Sequence, residues 1–333
     1  MARYAVISVV LAVALFAVAC SPNDTTVTFS DIRMCIRYKV VVGEALSFDK
    51  TEAVRQVIDR VFSEVDTVYN QWNPDSEVTR INHSDAHIPI PISDSLKTFL
   101  AVVDCGIALS YGHFDPTVEP LVATWKQALE QGTIPGTDAI SVAKEAVGWH
   151  RLSCSTKGVI KETADLQLNF DGVAKGYAVD RILDELLALE IENLYVEWGG
   201  EIRVAGRHPE RRPWRVMVTG IDGIKGTEEI EVIDLVDEAI ATSGDYYQQW
   251  QITNNSETIT YTHIVDPTSG EALQVRSGGV ASATVIAPTC ALADLLATTC
   301  MLFTSGEEAR KWAYEVENQV PGTRFWIVTR GEL

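Results

Sequence analysis

The sequence predicts an α+β fold: a single large domain of mixed, mostly antiparallel sheet with packed helices. Hydrophobic residues make up 46% of the 333 residues and charged residues 22%, which is typical of a globular protein with a substantial core. Segments with strand and helix periodicity are mixed rather than strictly alternating, which disfavours a doubly wound parallel sheet. No internal repeat, low-complexity tract or long linker divides residues 29–333, so we predict one domain over that range.

The first half of the domain is mainly helical in pattern. Residues 34–42 have the character of a first strand. A periodic amphipathic helix follows over 54–69, after a cap-like spacing at 49–52, and Pro74 ends it. Ser93 is placed to cap a helix through about residue 107, and Asp115 to cap another through about residue 130. A short helix is predicted near 138–147.

The second half of the domain has more predicted strands than helices. One long helix is predicted over 174–189, and Thr289 and Ser305 each open a further helix. Alternating or β-branched runs predict strands at 150–153, 158–161, 166–170, 193–197, 201–206, 214–219, 229–235, 238–242, 259–264, 279–287 and 324–329.

The first 28 residues have the pattern of a targeting segment. Arg3 precedes an almost wholly apolar run, and Ala17-Val-Ala-Cys20 resembles the lipobox of bacterial lipoproteins. We predict a signal peptide at 1–19 and a lipidated Cys20 with a polar tether over 20–28. The protein would then be anchored to a membrane of the bacterial cell envelope, on its periplasmic side. The alternatives are an ordinary secretory signal or an uncleaved anchor.

Charge and cysteine content exclude several other classes. A net charge of −19 argues against nucleic acid as a partner, because phosphates require a basic surface. An anionic substrate would need a lysine or a metal ion to offset that charge. The remaining cysteines form neither a disulfide framework nor a CxxC metal pair. Apolar neighbours predict that four of them are buried core residues: Cys35, Cys105, Cys290 and Cys300.

The stretch Asn169-Phe-Asp-Gly-Val-Ala-Lys-Gly-Tyr-Ala-Val-Asp180 is a candidate binding loop. It places Gly172 and Gly176 where a predicted strand gives way to a helix, so backbone N–H groups and the helix dipole favour an anion there. Lys175 adds a positive charge. The alternative is a tight turn with a surface lysine, and the spacing matches neither a phosphate-binding loop nor a dinucleotide fingerprint.

A second candidate lies on the helix that Thr289 opens. Asp294 and Thr298 stand four residues apart, on one helix face. A carboxylate and a hydroxyl are oxygen ligands suited to Mg²⁺, although Thr298 bonded to its own backbone is the alternative.

Two further residues could take part in proton transfer. His263 ends a predicted strand and could accept the proton of an incoming hydroxyl. Asp245, in a predicted turn, is a candidate acid, base or metal-shell group. For both residues, hydrogen bonding within a turn is the alternative interpretation.

Three segments, in their order along the chain, resemble the FAD:protein FMN transferase family, the ApbE-type flavin transferases. They are Gly172-Val-Ala-Lys-Gly-Tyr-Ala-Val-Asp180, His263-Ile-Val-Asp-Pro-Thr-Ser-Gly270, and the run from Val285 through Asp294 to Thr298. The resemblance extends from Met34 to Thr298. It implies an ApbE-like fold, Mg²⁺ as cofactor and FAD as substrate. FMN would pass to a threonine or serine of an acceptor protein, such as a subunit of a membrane redox complex, with release of AMP.

The same resemblance assigns roles to individual residues. FAD contacts are implied for Met34, Trp72, His113, Phe114, Asp115, Asn169 and Lys175. The metal site would comprise the Gly172 carbonyl, Asp294 and Thr298, and His263 would assist catalysis. One departure is Asn169, since the family usually has an acidic residue at that position. An amide can still hydrogen-bond a ribose or an adenine edge, but it cannot serve as a base or a charged metal ligand.

The sequence is also compatible with two alternatives to the transferase. An FAD pyrophosphatase would use water in place of the acceptor hydroxyl and release FMN and AMP. A lipid-anchored flavin-binding or solute-binding protein would bind without turnover. The residues Lys175, Asp294 and Thr298 favour catalysis, whereas Asn169 leaves a binding role open.

Overall fold

The computed structural model describes residues 26–218, 231–246, 248–254 and 257–331. The predicted signal peptide and Cys20 lie outside these residues. The helices are α1 (Phe48–Glu64), α2 (Glu77–Asn82), α3 (Asp94–Leu109), α4 (Glu119–Glu130), α5 (Thr137–Glu145), α6 (Ala174–Leu187), α7 (Cys290–Met301) and α8 (Gly306–Gln319). A π-helical turn, Val65–Tyr69, extends α1.

The strands are β1 (Val27–Arg33), β2 (Ile36–Val42), β3 (Leu152–Ser155), β4 (Gly158–Lys161), β5 (Leu194–Trp198), β6 (Glu201–Ala205), β7 (Trp214–Val218), β8 (Glu231–Leu235), β9 (Ala239–Gly244), β10 (Gln249–Asn254), β11 (Glu257–Val265), β12 (Ala272–Gln274), β13 (Val280–Ala287) and β14 (Arg324–Thr329). Seven of them form the main sheet, in the order β1-β2-β5-β6-β9-β13-β14, and every neighbouring pair is antiparallel. This architecture confirms the α+β prediction.

Helices α6 and α7 pack against the main sheet and against each other, and they carry the predicted binding loop and the Asp294 helix. A Cβ on Gly176 of α6 would lie 2.3 Å from the Cys290 carbonyl oxygen of α7, so only glycine permits this approach. The carboxylate of Asp180 accepts hydrogen bonds of 2.8 Å from the backbone N–H groups of Cys290 and Ala291. One helix therefore caps the other and fixes their relative position.

The main sheet is covered on both faces. Alternate residues of β13 point to opposite sides, so Val285 joins the helical core while Ile286 packs with the β7–β8 hairpin. A separate small lobe consists of α4, α5 and the three-stranded sheet β10-β11-β12. Its core includes Leu121, Trp125 and Tyr261.

Several local predictions agree with the structure. Ser93, Thr289 and Ser305 each cap the helix that they were predicted to open, accepting a backbone N–H three residues ahead. The main domain begins slightly earlier than predicted, because β1 starts at Val27 within the proposed tether. Among the residues described, no helix combines the length and apolar character needed to cross a membrane.

Other local predictions are wrong. Asp115 does not cap α4, because its carboxylate accepts hydrogen bonds from Thr117 and from the Trp149 backbone N–H. The predicted strand at 166–170 is an extended segment with an isolated bridge from Gln167 to Val118. Its alternating apolar side chains are buried, but no strand ladder flanks it, and side-chain hydrogen bonds hold it instead.

The strand predicted at 34–42 begins two residues later in the structure, as β2 at Ile36, and two of the cysteines predicted to be buried are exposed. Met34 and Cys35 form the turn between β1 and β2, at φ values of 48° and 64°, as a two-residue hairpin turn requires. Cys35 and Cys105 are exposed, whereas Cys290 and Cys300 are buried as predicted; all four are free thiols. The elements β1, α2, β10 and β12 were not predicted from the sequence.

Candidate functional site

A cavity of about 590 Å³ lies between the small lobe and the helices of the main core. Its wall includes residues from α4, α6, α7, β9 and β11, and from the extended segment before α6. Nine of the residues predicted from sequence line it: Trp72, Phe114, Asp115, Asn169, Gly172, Lys175, His263, Asp294 and Thr298. The fold therefore brings together residues that are up to 226 positions apart in the sequence, from Trp72 to Thr298.

Asp294 and Thr298 face this cavity from α7. Asp294 is buried, and its Oδ2 accepts the Gly176 N–H of α6 at 3.0 Å. The anion at the start of α6 is thus a carboxylate of the protein itself, which the helix dipole favours. Thr298 Oγ1 lies 3.1 Å from Ser243 Oγ. A Cβ on Gly172 would lie 2.9 Å from Thr298 Oγ1, so the Gly172 backbone passes directly over this hydroxyl.

Lys175 lies between two buried carboxylates. Its Nζ forms an ion pair with Glu201 and lies 4.0 Å from Asp294 Oδ1. Burial raises the pKa of both carboxyl groups, and the Lys175 ammonium partly offsets this effect. The two carboxylates raise the pKa of Lys175 against its own desolvation. The lysine is therefore a fixed cation in the cavity wall rather than a mobile surface charge.

The extended segment before α6 is held by side chains. Asn82 pairs with the backbone of Leu168 through both its amide groups, at 2.7 and 3.0 Å. Asn169 donates to Glu119 Oε2 of α4 at 2.6 Å. Burial raises the pKa of Glu119, and the Asn169 amide partly offsets this. Glu119 is not among the residues that line the cavity, so this carboxylate meets the site through its contact with Asn169.

Behind that segment, Lys161 supports the same loop from within the core. This lysine is fully buried, and its Nζ donates to the carbonyl oxygens of Asn82, Ala164 and Leu166 at 2.9, 2.8 and 3.0 Å. An ammonium group has three donors, so all of them are used. These bonds take the place of the missing strand ladder.

His263 reaches the cavity from β11 in the small lobe. His263 is exposed, but desolvation by the surrounding protein atoms lowers the pKa of its imidazole, and a hydrogen bond to the Gln248 backbone and the charges of Asp245 and Asp171 offset this only in part. The imidazole is therefore neutral at neutral pH and able to accept a proton.

Aromatic side chains form the part of the wall next to α4. Trp72 is 65% exposed at the rim, and Lys126 Nζ lies 5.2 Å from the centre of its ring. Phe114 is buried and contacts Gly172. Flat apolar surfaces of this kind suit a planar ring.

Three predicted site residues lie away from the cavity wall. Met34 is in the β1–β2 turn and packs on the main core. The ring of His113 packs on Phe303, with centroids 4.4 Å apart. Asp245 forms a buried two-pronged ion pair with Arg330, at 2.5 and 2.6 Å. That pairing engages both carboxylate oxygens, so the geometry favours a structural part for Asp245 over proton transfer.

Three acidic residues of this region were not predicted from the sequence: the lining residues Asp171 and Glu201, and Glu119, which contacts Asn169. Asp171 faces the cavity, where surrounding protein atoms raise the pKa of its carboxyl, while Lys175 and the Trp72 indole act in the opposite direction. Glu201 follows the Gly199-Gly200 turn, and that pair of glycines beside an acid was the signal available in the sequence.

The donor set fits a hard cation. Among the residues described, no cluster of three or more histidine, cysteine, aspartate or glutamate side chains could hold a metal. The Gly172 backbone, the Asp294 carboxylate and the Thr298 hydroxyl nevertheless line the same cavity, and all three offer oxygen. Mg²⁺ prefers oxygen ligands and commonly takes one or two carboxylates together with substrate phosphates.

Comparison with known proteins agrees with this geometry. A sequence profile of the ApbE family matches residues 31–322. The FAD:protein FMN transferase of Chlamydia pneumoniae is 41% identical over 298 residues, covering 89% of this chain and 91% of that protein. The protein of that name from Vibrio cholerae is 30% identical over 315 residues, covering 94% and 91%.

Solved structures share the fold. The apo crystal structure of the flavinyl transferase ApbE from Pseudomonas stutzeri has a TM-score of 0.78 at 28% identity, and covers 92% of this chain and 91% of that one. The ApbE protein of Thermotoga maritima has a TM-score of 0.73 at 26% identity, covering 92% and 97%. The family profile, the similarity over most of the chain and the shared fold show that this chain belongs to the ApbE family.

Proposed function

We propose that this protein transfers FMN from FAD to a threonine or serine hydroxyl of an acceptor protein. Family membership and the names of its relatives support flavin transfer. The observation that carries the proposal is that one cavity is lined by a carboxylate–hydroxyl pair, a half-buried lysine and a histidine with a lowered pKa. Each of these groups suits one requirement of phosphoryl-type transfer.

The reaction exchanges one phosphorus–oxygen bond for another. The acceptor oxygen bonds to the FMN phosphorus, and the bond from that phosphorus to the bridging oxygen of the pyrophosphate breaks. AMP leaves with the bridging oxygen and its electron pair, and the hydroxyl proton passes to a base. The enzyme therefore needs to neutralise charge and align the groups more than to form a covalent intermediate.

The residues of the wall meet the first requirement. Lys175, half-buried between Glu201 and Asp294, places a positive charge in the cavity where an anionic substrate would bind an acidic protein. Gly172, Asp294 and Thr298 would hold the metal. Bound there, Mg²⁺ would neutralise the pyrophosphate charge that develops as the bond breaks.

His263 is the candidate base for the proton of the acceptor hydroxyl. Its lowered pKa leaves the imidazole free to accept the acceptor's proton at neutral pH. His263 lies on β11 of the small lobe and lines the same cavity as the α7 residues Asp294 and Thr298.

We also propose that the protein is lipidated on Cys20 and acts on the periplasmic side of a bacterial membrane. The apolar run before Ala17-Val-Ala-Cys20 supports this. Expression with a radiolabelled fatty acid should label the wild-type chain and not Cys20→Ala. Labelling of both chains would contradict the anchor.

The catalytic proposal is tested with a soluble chain that starts at Pro22. FAD and Mg²⁺ are supplied with and without an acceptor that bears a candidate threonine, and both AMP and denaturation-resistant flavin fluorescence are followed. AMP release that depends on the acceptor, with a fluorescent acceptor band, supports transfer. AMP at an equal rate without acceptor would show a pyrophosphatase, and bound FAD without AMP would show a binding protein.

A further inference from the structure

Strand β9 and helix α7 lie close together beside the candidate metal site. Side chains two residues apart on a strand point to the same face, so Ala241 and Ser243 of β9 face the same way. Ala241 shares a small apolar cluster with Ala293 of α7. Alanine side chains let the strand and the helix approach closely, and Ser243 therefore reaches the part of α7 that carries Thr298.

The hydroxyl groups of Ser243 and Thr298 form a pair. Their oxygens lie 3.1 Å apart, and both residues line the cavity. Within the described part of the chain, neither side chain has another hydrogen-bond partner. Each hydroxyl therefore depends on the other for its orientation.

The next residue of α7, Thr299, shows that the helix does not impose this arrangement. A helical threonine can donate its hydroxyl hydrogen to the carbonyl four residues earlier, and Thr299 Oγ1 does so to Leu295 at 2.8 Å. Thr298 turns instead toward Ser243 and toward the Gly172 backbone, whose Cβ position would lie 2.9 Å from Thr298 Oγ1. The Thr298 oxygen thus serves a contact outside its own helix.

The chemistry of a ligating hydroxyl gives the direction of the bond between the two residues. A threonine hydroxyl has one hydrogen and two lone pairs, and it binds a cation through a lone pair. Its hydrogen then points away from the cation, whose charge makes the O–H group a stronger donor. Ser243 Oγ lies within reach of that hydrogen. Groups that ligate a metal are commonly oriented by an outer hydrogen-bond partner of this kind.

We propose that Ser243 Oγ accepts the Thr298 hydroxyl hydrogen and thereby holds the Thr298 oxygen in position to bind a divalent cation. Ser243 is then a positioning residue, which acts on the ion through Thr298 and is not itself a ligand. This inference rests on the proposed function, because it takes the cation of that proposal as the ligand. It makes β9 of the main sheet a support for the metal site on α7.

The test measures the affinity of the purified protein for Mn²⁺ alone, without FAD. Mn²⁺ takes the same oxygen ligands as Mg²⁺, and its electron paramagnetic resonance signal reports the unbound ion. The rise in unfolding temperature with Mn²⁺ extends the measurement to weak binding. Competition with Mg²⁺ confirms that the two ions share the site.

The variants separate Ser243 from its surroundings. Ser243→Ala removes the acceptor, and Ser243→Thr keeps it. Thr284→Val is a matched control, because the Thr284 hydroxyl pairs at 2.9 Å with that of Thr242, the residue before Ser243 on β9. Thr284 is buried and is not among the residues that line the cavity. Thermal unfolding without metal confirms that each variant folds.

Ser243→Ala should bind Mn²⁺ about 10- to 100-fold more weakly than wild type, as expected when the outer partner of a metal ligand is lost. Ser243→Thr and Thr284→Val should bind as wild type does. The double variant Ser243→Ala with Thr298→Val should bind no more weakly than Thr298→Val alone, because Ser243 acts through Thr298.

Several results would overturn the inference. Wild-type affinity in Ser243→Ala would do so, and so would equal losses in Ser243→Ala and Thr284→Val. A further loss in the double variant would show that Ser243 ligates the ion itself. In these cases AMP release by wild type would leave the proposed function standing. Wild type that binds no Mn²⁺ would overturn both the inference and the metal site of the proposed function.

Discussion

Replacement of Asp294 by asparagine should remove the Mg²⁺ dependence of AMP release while leaving the fold in place. The amide oxygen of asparagine can still accept the Gly176 N–H, which the carboxylate accepts at 3.0 Å. The N-terminus of α6 therefore keeps its partner, and the packing of α6 on α7 does not change. What disappears is one negative charge at the predicted metal site.

The size of the effect follows from the charge separation at this site. Asp294 Oδ1 lies 4.0 Å from the Lys175 ammonium, and two unit charges at that distance interact by about 4 kcal/mol at an effective dielectric constant of 20. A directly bound divalent ion lies closer and carries twice the charge, but the water lost by the ion and by the carboxylate offsets part of that attraction, so this figure gives the order of magnitude. Since about 1.4 kcal/mol corresponds to a factor of ten, AMP release at sub-saturating Mg²⁺ should fall by about 10³-fold.

The assay is a Mg²⁺ titration of AMP release, read by chromatography, with thermal unfolding to confirm the fold. Asp180→Asn is the control, because it removes a buried carboxylate from the facing helix without touching the cavity. That control should lose stability and keep its response to Mg²⁺. A folded Asp294→Asn chain whose Mg²⁺-dependent rate stays within tenfold of wild type would refute the metal site.

Three further changes test the base, the Asn169–Glu119 pair and the helix contact. Desolvation lowers the pKa of His263 below 6.5, so activity should increase with pH as the imidazole loses its proton, with a midpoint below 6.5. His263→Asn should abolish this acidic limb of the pH profile and lower the rate by about 10²- to 10⁴-fold. Asn169→Asp would place a second carboxylate against Glu119, 2.6 Å from the present amide. One carboxyl pKa would then rise in the folded state, so the stability loss in urea, about 1–3 kcal/mol, should be larger at pH 8 than at pH 5. Gly176→Ala should lower the free energy of unfolding by about 1–3 kcal/mol or more, because its Cβ would lie 2.3 Å from the Cys290 carbonyl.

Each of these three predictions could be contradicted by a specific result. A His263→Asn enzyme with an unchanged pH profile would exclude the histidine as the base. The double variant Asn169→Asp with Glu119→Gln should recover the stability that Asn169→Asp loses. If it does not, the loss does not come from repulsion between the carboxylates at positions 169 and 119. Wild-type stability of Gly176→Ala would show that α6 and α7 adjust to the added methyl group.

Sequence patterns anticipated most of the elements that position the site. The helices α6 and α7 were readable because apolar residues recur at helical spacing and a capping threonine, Thr289, precedes α7. The strand predicted at 166–170 failed for a reason that periodicity cannot show. Its buried alternation is real, but a strand also needs a neighbouring ladder, and Asn82 and Lys161 occupy that place instead.

Some residues of the candidate site could likewise be predicted from the sequence, and others could not. Lys175, Asp294 and Thr298 lie in segments whose residue order is distinctive, so the sequence was enough to associate them. Glu119 and Asp171 carry no distinctive local pattern, and the Gly199-Gly200 pair before Glu201 indicates only a turn. The importance of all three residues depends on which side chains meet around the cavity, and the sequence does not show those contacts.

The fold class, the family and the approximate bounds of most elements can be predicted from the sequence, because periodicity, caps and motif order are local properties of the chain. Which charges meet depends on how the whole chain packs. That packing pairs Asp245 with Arg330 and sets Lys175 between Glu201 and Asp294. The physical reason is that an ionisable group's pKa and role depend on burial and on partners distant in sequence, which only the packing of the whole chain brings within a few ångströms.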